Sequence, residues 1–230
     1  MIKFIFLDLD DTILDFGKGE RVAIEGALRR IGVEPTKTII DRYMEINLSC
    51  WRALERREMT RDQVLYGRFE RLFEEFSVKE DAVYTQGIYQ ELLSKQHDFL
   101  PGGKELLDAL RSHGKYSLYI ATNGIPEVQW PRINDSGIRD YFKEIFISYD
   151  FGVGKPSREF FERCFQRIEG FDPDECIIVG DSLTSDIKGG INAGIRTCHY
   201  DRRSTVYGDI VPDFRITELS ELIPLLESIE

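Results

Sequence analysis

Asp8, Asp10 and Asp11 crowd together at the end of one apolar stretch, "FIFLDLDDTILDF" at 4–16. Ionised carboxylates about 4 Å apart repel by roughly 4 kcal/mol per pair at an effective dielectric near 20. Such a cluster makes sense where a cation or a reaction needs it. Further along, Thr122, Asn123, Lys155, Asp181 and Asp186 are the polar residues with the right types to join it. Asp8, Asp10, Asp181 and Asp186 form a hard oxygen donor set that suits Mg2+. Lys155 adds a second positive charge, so a pocket in an acidic protein becomes a receptor for phosphate. Thr122-Asn123-Gly124 supplies a hydroxyl, an amide and open backbone N–H groups. A helix predicted after Pro126 would also point its N-terminus at a bound anion. A metal, a lysine, a hydroxyl and amides directed at one group suit phosphoryl transfer. Asp8 is then the candidate nucleophile, giving an aspartyl-phosphate. Asp10, two residues on, is the candidate acid and base that protonates the leaving oxygen and later activates water.

These residues meet only if the surrounding elements converge. The apolar run at 3–9 does not alternate, which predicts a strand buried on both faces, as in parallel sheets covered by helices. "YSLYIAT" at 116–122, "EIFIS" at 144–148 and "CIIVGD" at 176–181 share that character, and "IRTCHY" at 195–200 and "DFRI" at 213–216 extend the sheet. Helical patterns lie between them, at 103–114 and 157–168 for example. Strand alternating with helix from residue 100 onward predicts a doubly wound, Rossmann-like α/β core. Asp8, Thr122 and Asp181 each end a strand and Lys155 follows one. In an open parallel sheet those carboxyl ends line a single crevice where ligands bind.

Residues 17–97 read differently. Several segments there carry apolar residues at helical spacing and none resembles a strand. Thr60, followed by Arg61-Asp62-Gln63, has the form of a capping box. The expected organisation is therefore a core of 1–16 and 98–230 interrupted by an all-helical insertion at 17–97, closed by the turn residues "FLPGG".

A net charge of −11 and a pI near 4.9 argue against binding nucleic-acid polymers or anionic membranes. The four cysteines form no CxxC pair, which fits free thiols in a reducing compartment. Asp8 cuts the first apolar run too early for a signal peptide, and no apolar stretch approaches about 18 residues. A cytoplasmic protein is expected. His97, His113 and His199 have no partners that suggest a triad, and no Ser or Cys has a recognisable activating base.

"DLDDT" at 8–12, "TNG" at 122–124, "KP" at 155–156 and "GDSLTSD" at 180–186 resemble, in order and spacing, the four motifs of the haloacid dehalogenase-like hydrolases. Alone, each has a bland reading as a turn, a surface loop or a helix cap; their agreement is what is specific. The resemblance implies that Asp8 is the nucleophile and Asp10 the acid/base. It implies that Mg2+ takes Asp8, the backbone carbonyl of Asp10 and Asp181, with Asp186 supporting the shell. Thr122, Asn123 and Lys155 would bind the phosphoryl group, and 17–97 would be a cap closing over substrate. Asp11 is expected to point away from the site, and Thr12 to hydrogen-bond the turn after the strand. "NLSCWRALERREMTRDQVLYGRFERL", "PEVQWPRINDSGIRDYF" and "SDIKGGINAG" resemble the branch that contains pyrimidine 5'-nucleotidases. That implies a nucleoside 5'-monophosphate as substrate, with Trp51, Arg68 and Phe69 as residues able to meet its base or ribose. The partner is then a small phosphomonoester, handled by a monomer or homodimer. A sugar-phosphate phosphatase or mutase, of phosphoglycolate or N-acylneuraminate-9-phosphate type, would share the core. A dehalogenase would lack Asp10, and a receiver-type signalling domain would carry its phosphorylated Asp after a later strand of a shorter chain.

Overall fold

The strands β1 (Phe4–Leu7), β2 (Ser117–Thr122), β3 (Glu144–Ile147), β4 (Cys176–Gly180), β5 (Arg196–Tyr200) and β6 (Phe214–Ile216) form one sheet in the order β3-β2-β1-β4-β5-β6. All its pairings are parallel in the computed structural model, which describes residues 1–202 and 204–229. β1 lies between β2 and β4, with Phe4 opposite both Ser117 and Cys176. Its pleat sends Phe4 and Phe6 into one apolar cluster with Phe146, Phe160 and Phe161, and Ile5 and Leu7 into another with Leu107, Ile120 and Ile177. Both faces are covered, which is why the strand's apolar residues do not alternate.

The helices are α1 (Phe16–Arg30), α2 (Lys37–Glu55), α3 (Arg61–Phe76), α4 (Ala82–Leu93) and α5 (Gly103–His113), followed by α6 (Pro126–Asp135), α7 (Ser148–Phe151), α8 (Arg158–Phe165), α9 (Lys188–Ala193) and α10 (Leu222–Ser228). Leu106, Leu107 and Leu110 of α5 and Leu222 and Leu226 of α10 cover one face of the sheet. Phe160, Phe161 and Cys164 of α8 cover the other. The chain order reverses at β1, so the crevice of this doubly wound sheet opens beyond the carboxyl end of β1.

Helices α1–α4 pack together around their own cluster, which includes Ile24, Tyr43, Phe69 and Tyr89 and takes in Ile125 and Val128 from the start of α6. The expected capping box is present: the Thr60 N–H donates to Gln63 Oε1 at 2.7 Å, and the Gln63 N–H to Thr60 Oγ1 at 3.3 Å. The two chain segments joining these helices to the sheet run side by side. Leu100 N–H donates to Ile13 O at 2.9 Å and Asp15 N–H to Asp98 O at 2.8 Å. β1 stops two residues before the expected Leu9, because the Ile13 and Leu14 N–H groups both turn back onto Leu9 O. All four cysteines are buried and free. Among the described residues no helix is long and apolar enough to cross a membrane.

Candidate active site

Asp8 is the first residue past β1, where its N–H still donates to Val179 O at 2.9 Å. Its Oδ1 accepts from Lys155 Nζ at 2.6 Å, and the same ammonium reaches Asp186 Oδ1 at 2.6 Å and Ala121 O at 2.5 Å. All three donor positions of Lys155 are thus used, in a setting where its side chain is 2% exposed. Asp186 accepts through Oδ2 from the Ser182 N–H at 3.0 Å. It lies so close to the end of β4 that a Cβ at Gly180 would sit 2.2 Å from Oδ2. Ser182 caps a single π-helical turn, Leu183–Ile187, that carries Asp186.

Carboxylate oxygens of Asp8, Asp181 and Asp186 lie within 4.8 Å of one another. Burial pushes the Asp8 carboxyl up to about 8, with Lys155 pulling the other way and Asp186 and Asp10 adding repulsion. Burial, then Asp186 and Asp8, drive Asp181 well above the carboxylate range. Burial disfavours the Lys155 charge, but Asp186 and Asp8 outweigh it and hold the ammonium protonated. Among the described residues only Lys155 ion-pairs with this cluster, so three carboxylates face one cation. The charge deficit and the hard oxygen donors fit a divalent metal ion.

The Asp10 carboxylate leaves that cluster. Its Oδ1 accepts from Arg132 Nη1 at 2.5 Å and its Oδ2 from Gln129 Nε2 at 2.8 Å. Arg132 is fully buried and also donates through Nε to Gln96 O at 2.7 Å and through Nη1 to Gln129 Oε1 at 2.8 Å. Gln129 and Arg132 stand one turn apart on α6 and were not among the expected site residues. Only their helical spacing within "PEVQWPRI" hints that they share a face. Thr122 Oγ1 accepts from Gln129 Nε2 at 2.7 Å and from the Gly124 N–H at 3.2 Å. Both its lone pairs are engaged, which leaves the hydroxyl proton to donate.

The Asn123 side chain works as a strut. Nδ2 donates to Lys155 O at 2.8 Å and to Ser185 Oγ at 3.2 Å, while Oδ1 accepts from the Lys155 N–H at 3.0 Å. Its amide is spent on tying the loop after β2 to the loop that carries Lys155. Thr12 reaches beyond its own turn, accepting from the Asp181 N–H at 3.1 Å. Asp11, expected to point away, lines the cavity edge: at φ 56° it accepts from the Gly17 N–H at 3.2 Å and pairs with Arg202 at 3.1 Å. His199 is structural. Its Nε2 must carry the proton, since it faces Asp181 O at 2.9 Å, and Nδ1 then accepts from Tyr207 Oη at 3.0 Å.

A cavity of about 380 Å³ lies between these strand ends and α1–α4. Asp8, Asp10, Thr122, Lys155 and Asp181 line it from the sheet, and Glu20, Asn47, Trp51, Arg68 and Tyr89 from the helices. Trp51 and Arg68 therefore reach the cavity, whereas Phe69 is fully buried in the helical cluster and does not. Arg68 is buried too, donating to Asn47 Oδ1 at 2.6 Å and Gln86 Oε1 at 2.7 Å. Asn47 Nδ2 in turn donates to Glu20 Oε1 at 2.5 Å. Burial lifts Glu20 to about 7, against the pull of Arg68 and the Asn47 hydrogen bond. Arg61, the first residue of α3, bridges to the sheet through Asn123 O at 2.7 Å and Ser148 Oγ at 2.9 Å.

A family model for haloacid dehalogenase-like hydrolases matches residues 2–194. The HAD-hydrolase YfnB of Bacillus subtilis is 38% identical over 226 residues, covering 97% of this chain and 95% of that protein. The pyrimidine 5'-nucleotidase PynA of Streptococcus pneumoniae is 39% identical over 199 residues, covering 86% of this chain and 84% of that protein. The crystal structure of YfnB bound to magnesium superposes with a TM-score of 0.93 at 36% identity, covering 98% of both chains.

Proposed function

The chain belongs to the haloacid dehalogenase-like hydrolases, and on that premise we propose that it is a Mg2+-dependent phosphatase for a small phosphomonoester, a nucleoside 5'-monophosphate. The observation that carries this reading is the pair of carboxylates in one cavity with different partners. Asp8 sits in the acidic cluster beside Lys155, while Asp10 is turned out of it by Arg132 and Gln129. One is suited to attack, the other to proton transfer. A dehalogenase has no use for the second.

Asp8, the main-chain carbonyl of Asp10 and Asp181 would hold Mg2+, with Asp186 behind them, and the ion supplies charge neutralisation to the phosphoryl oxygens. An Asp8 oxygen attacks phosphorus and forms the O–P bond as the ester P–O bond breaks. Asp10 delivers its proton to the departing oxygen. It then takes a proton from water, which attacks the aspartyl-phosphate, frees inorganic phosphate and restores Asp8. The Thr122 hydroxyl donates to a phosphoryl oxygen throughout, the Lys155 ammonium held by Asp8 and Asp186 supplies positive charge beside that group, and Asn123 keeps their two loops in register. Helices α1–α4 act as a cap over residues 1–16 and 98–230, keeping bulk water from the intermediate. The nucleotide class is supported by the 39% identity to a pyrimidine 5'-nucleotidase and by the aromatic and polar roof of the cavity.

The test is phosphate release, with Mg2+ and with chelator, across nucleoside monophosphates, sugar phosphates and phosphoglycolate. Metal-dependent release favouring dUMP, dTMP or UMP is expected, and Asp8→Asn abolishes it with the fold intact. Preference for a sugar phosphate would remove the nucleotide class and keep the chemistry. Appreciable turnover by Asp8→Asn would remove Asp8 as nucleophile.

A further inference from the structure

Glu20, Asn47 and Arg68 come from α1, α2 and α3, yet they form one hydrogen-bonded chain at the cavity. Its polarity is dictated from the buried end. A guanidinium can only donate, so Asn47 must turn Oδ1 toward Arg68 and Nδ2 toward Glu20. That engages Glu20 Oε1, and Asn47 is the one side-chain hydrogen-bond partner of Glu20 among the described residues, which leaves Oε2 free. The cavity is thus offered an acceptor on Glu20 beside the second N–H of Asn47 Nδ2. Leu48, Trp51, Leu65 and Leu93 line the same space. Apolar walls around one acceptor–donor pair suit a flat ring with a single polar edge. A polyol would leave most of its hydroxyls unpaired there.

We infer that Glu20 is a specificity-determining residue that reads the edge of a pyrimidine base, accepting from a ring or exocyclic N–H while Asn47 donates to the neighbouring acceptor. The inference rests on the nucleotide reading above and adds the residues that recognise the base. Uracil and thymine offer N3–H beside a carbonyl, and cytosine offers N4–H beside N3, so each presents the matching pair. Arg68 makes no contact with the base in this arrangement. Its task is to hold the Asn47 amide in the orientation that turns Glu20 Oε2 outward.

Two measurements test this, both at pH 8, where Glu20 is ionised and Oε2 can accept. The first uses the unaltered protein: kcat/KM for UMP should exceed that for N3-methyluridine 5'-monophosphate by about 10- to 100-fold, the value of a hydrogen bond to a charged group. The second uses Glu20→Gln, which keeps the side-chain volume and the bond from Asn47. It puts an N–H where the free oxygen stood. The ratio of kcat/KM for UMP to that for ribose 5-phosphate should fall by about 10- to 100-fold in this variant. A merely structural role would lower both substrates together and leave the ratio unchanged, which would overturn the inference. So would equal turnover of the N3-methylated nucleotide by the unaltered protein. A ratio near one already in the unaltered protein would overturn the nucleotide reading itself, and this inference with it.

Discussion

Replacing Arg132 by Met removes the cation that faces Asp10 while keeping an unbranched apolar side chain in its place. Arg132 is 1% exposed and Asp10 26% exposed at their side chains. Removing one partner of a buried pair costs roughly 3–5 kcal/mol, and the partial access of water to Asp10 puts this case near ~3 kcal/mol. In a chain of this size that corresponds to a fall in Tm of about 6–12 °C, read by calorimetry. The kinetic expectation is separate. Acid–base catalysis by Asp10 contributes about 10²–10⁴-fold, so a carboxylate freed from Arg132 should lose at least about tenfold in kcat. KM should change little, because Arg132 is buried beneath Asp10 and bonds only to Asp10, Gln129 and the Gln96 carbonyl. Asp10→Asn combined with Arg132→Met should cost about 1–3 kcal/mol less than the two single losses added together. Strictly additive Tm losses with an unchanged kcat would refute the assignment of Arg132 as the residue that positions Asp10.

Two further outcomes follow from the geometry. Gly180→Ala would force a Cβ to 2.2 Å from Asp186 Oδ2, and Asp186 is pinned by Lys155 and the Ser182 N–H, so roughly 1–3 kcal/mol of stability is lost and Mg2+ binds more weakly; an unaltered melting curve and Mg2+ titration would contradict this. Burial raises the Glu20 pKa from the ordinary 4.5 to about 7, so it holds its proton up to about pH 7 when folded. Between those values the folded state binds more protons than the unfolded one, so stability falls as pH rises. Glu20→Gln does not titrate, so its stability, read from urea unfolding, should gain on that of the unaltered protein from pH 5 to pH 8 by an amount approaching about 3 kcal/mol; a constant difference would refute the shift.

How much of this could be read without the fold differs between the sheet and helices α1–α4. Apolar runs that do not alternate are a local property of doubly covered strands, and each run ends at a polar or charged residue. Asp8, Thr122 and Asp181 were therefore legible as strand ends, and a parallel sheet brings strand ends together whatever lies between them. Lys155 was legible for the same reason. The Leu183–Ile187 π-turn that carries Asp186 has no comparable local signature.

Side chains whose role depends on what stands opposite them were not legible. Arg68 and Arg71 occupy the same helix at neighbouring turns; one is buried against Asn47 and Gln86 and the other is exposed. Helical periodicity separates apolar from polar faces, but it cannot tell a polar residue that meets water from one that meets a buried acceptor. Asn123 had the composition of a phosphate ligand, and its amide instead ties two loops together. Gln129 and Arg132 looked like an ordinary polar pair on a helix until Asp10 was found against them. Sequence by itself determined the sheet, its crevice and the acidic residues at its edge, because those follow from local burial. The partners of those acids, and the hydrogen-bonded chain from Arg68 to Glu20, were decided only by tertiary structure, because a buried charge is defined by the group that compensates it and that group comes from elsewhere in the chain.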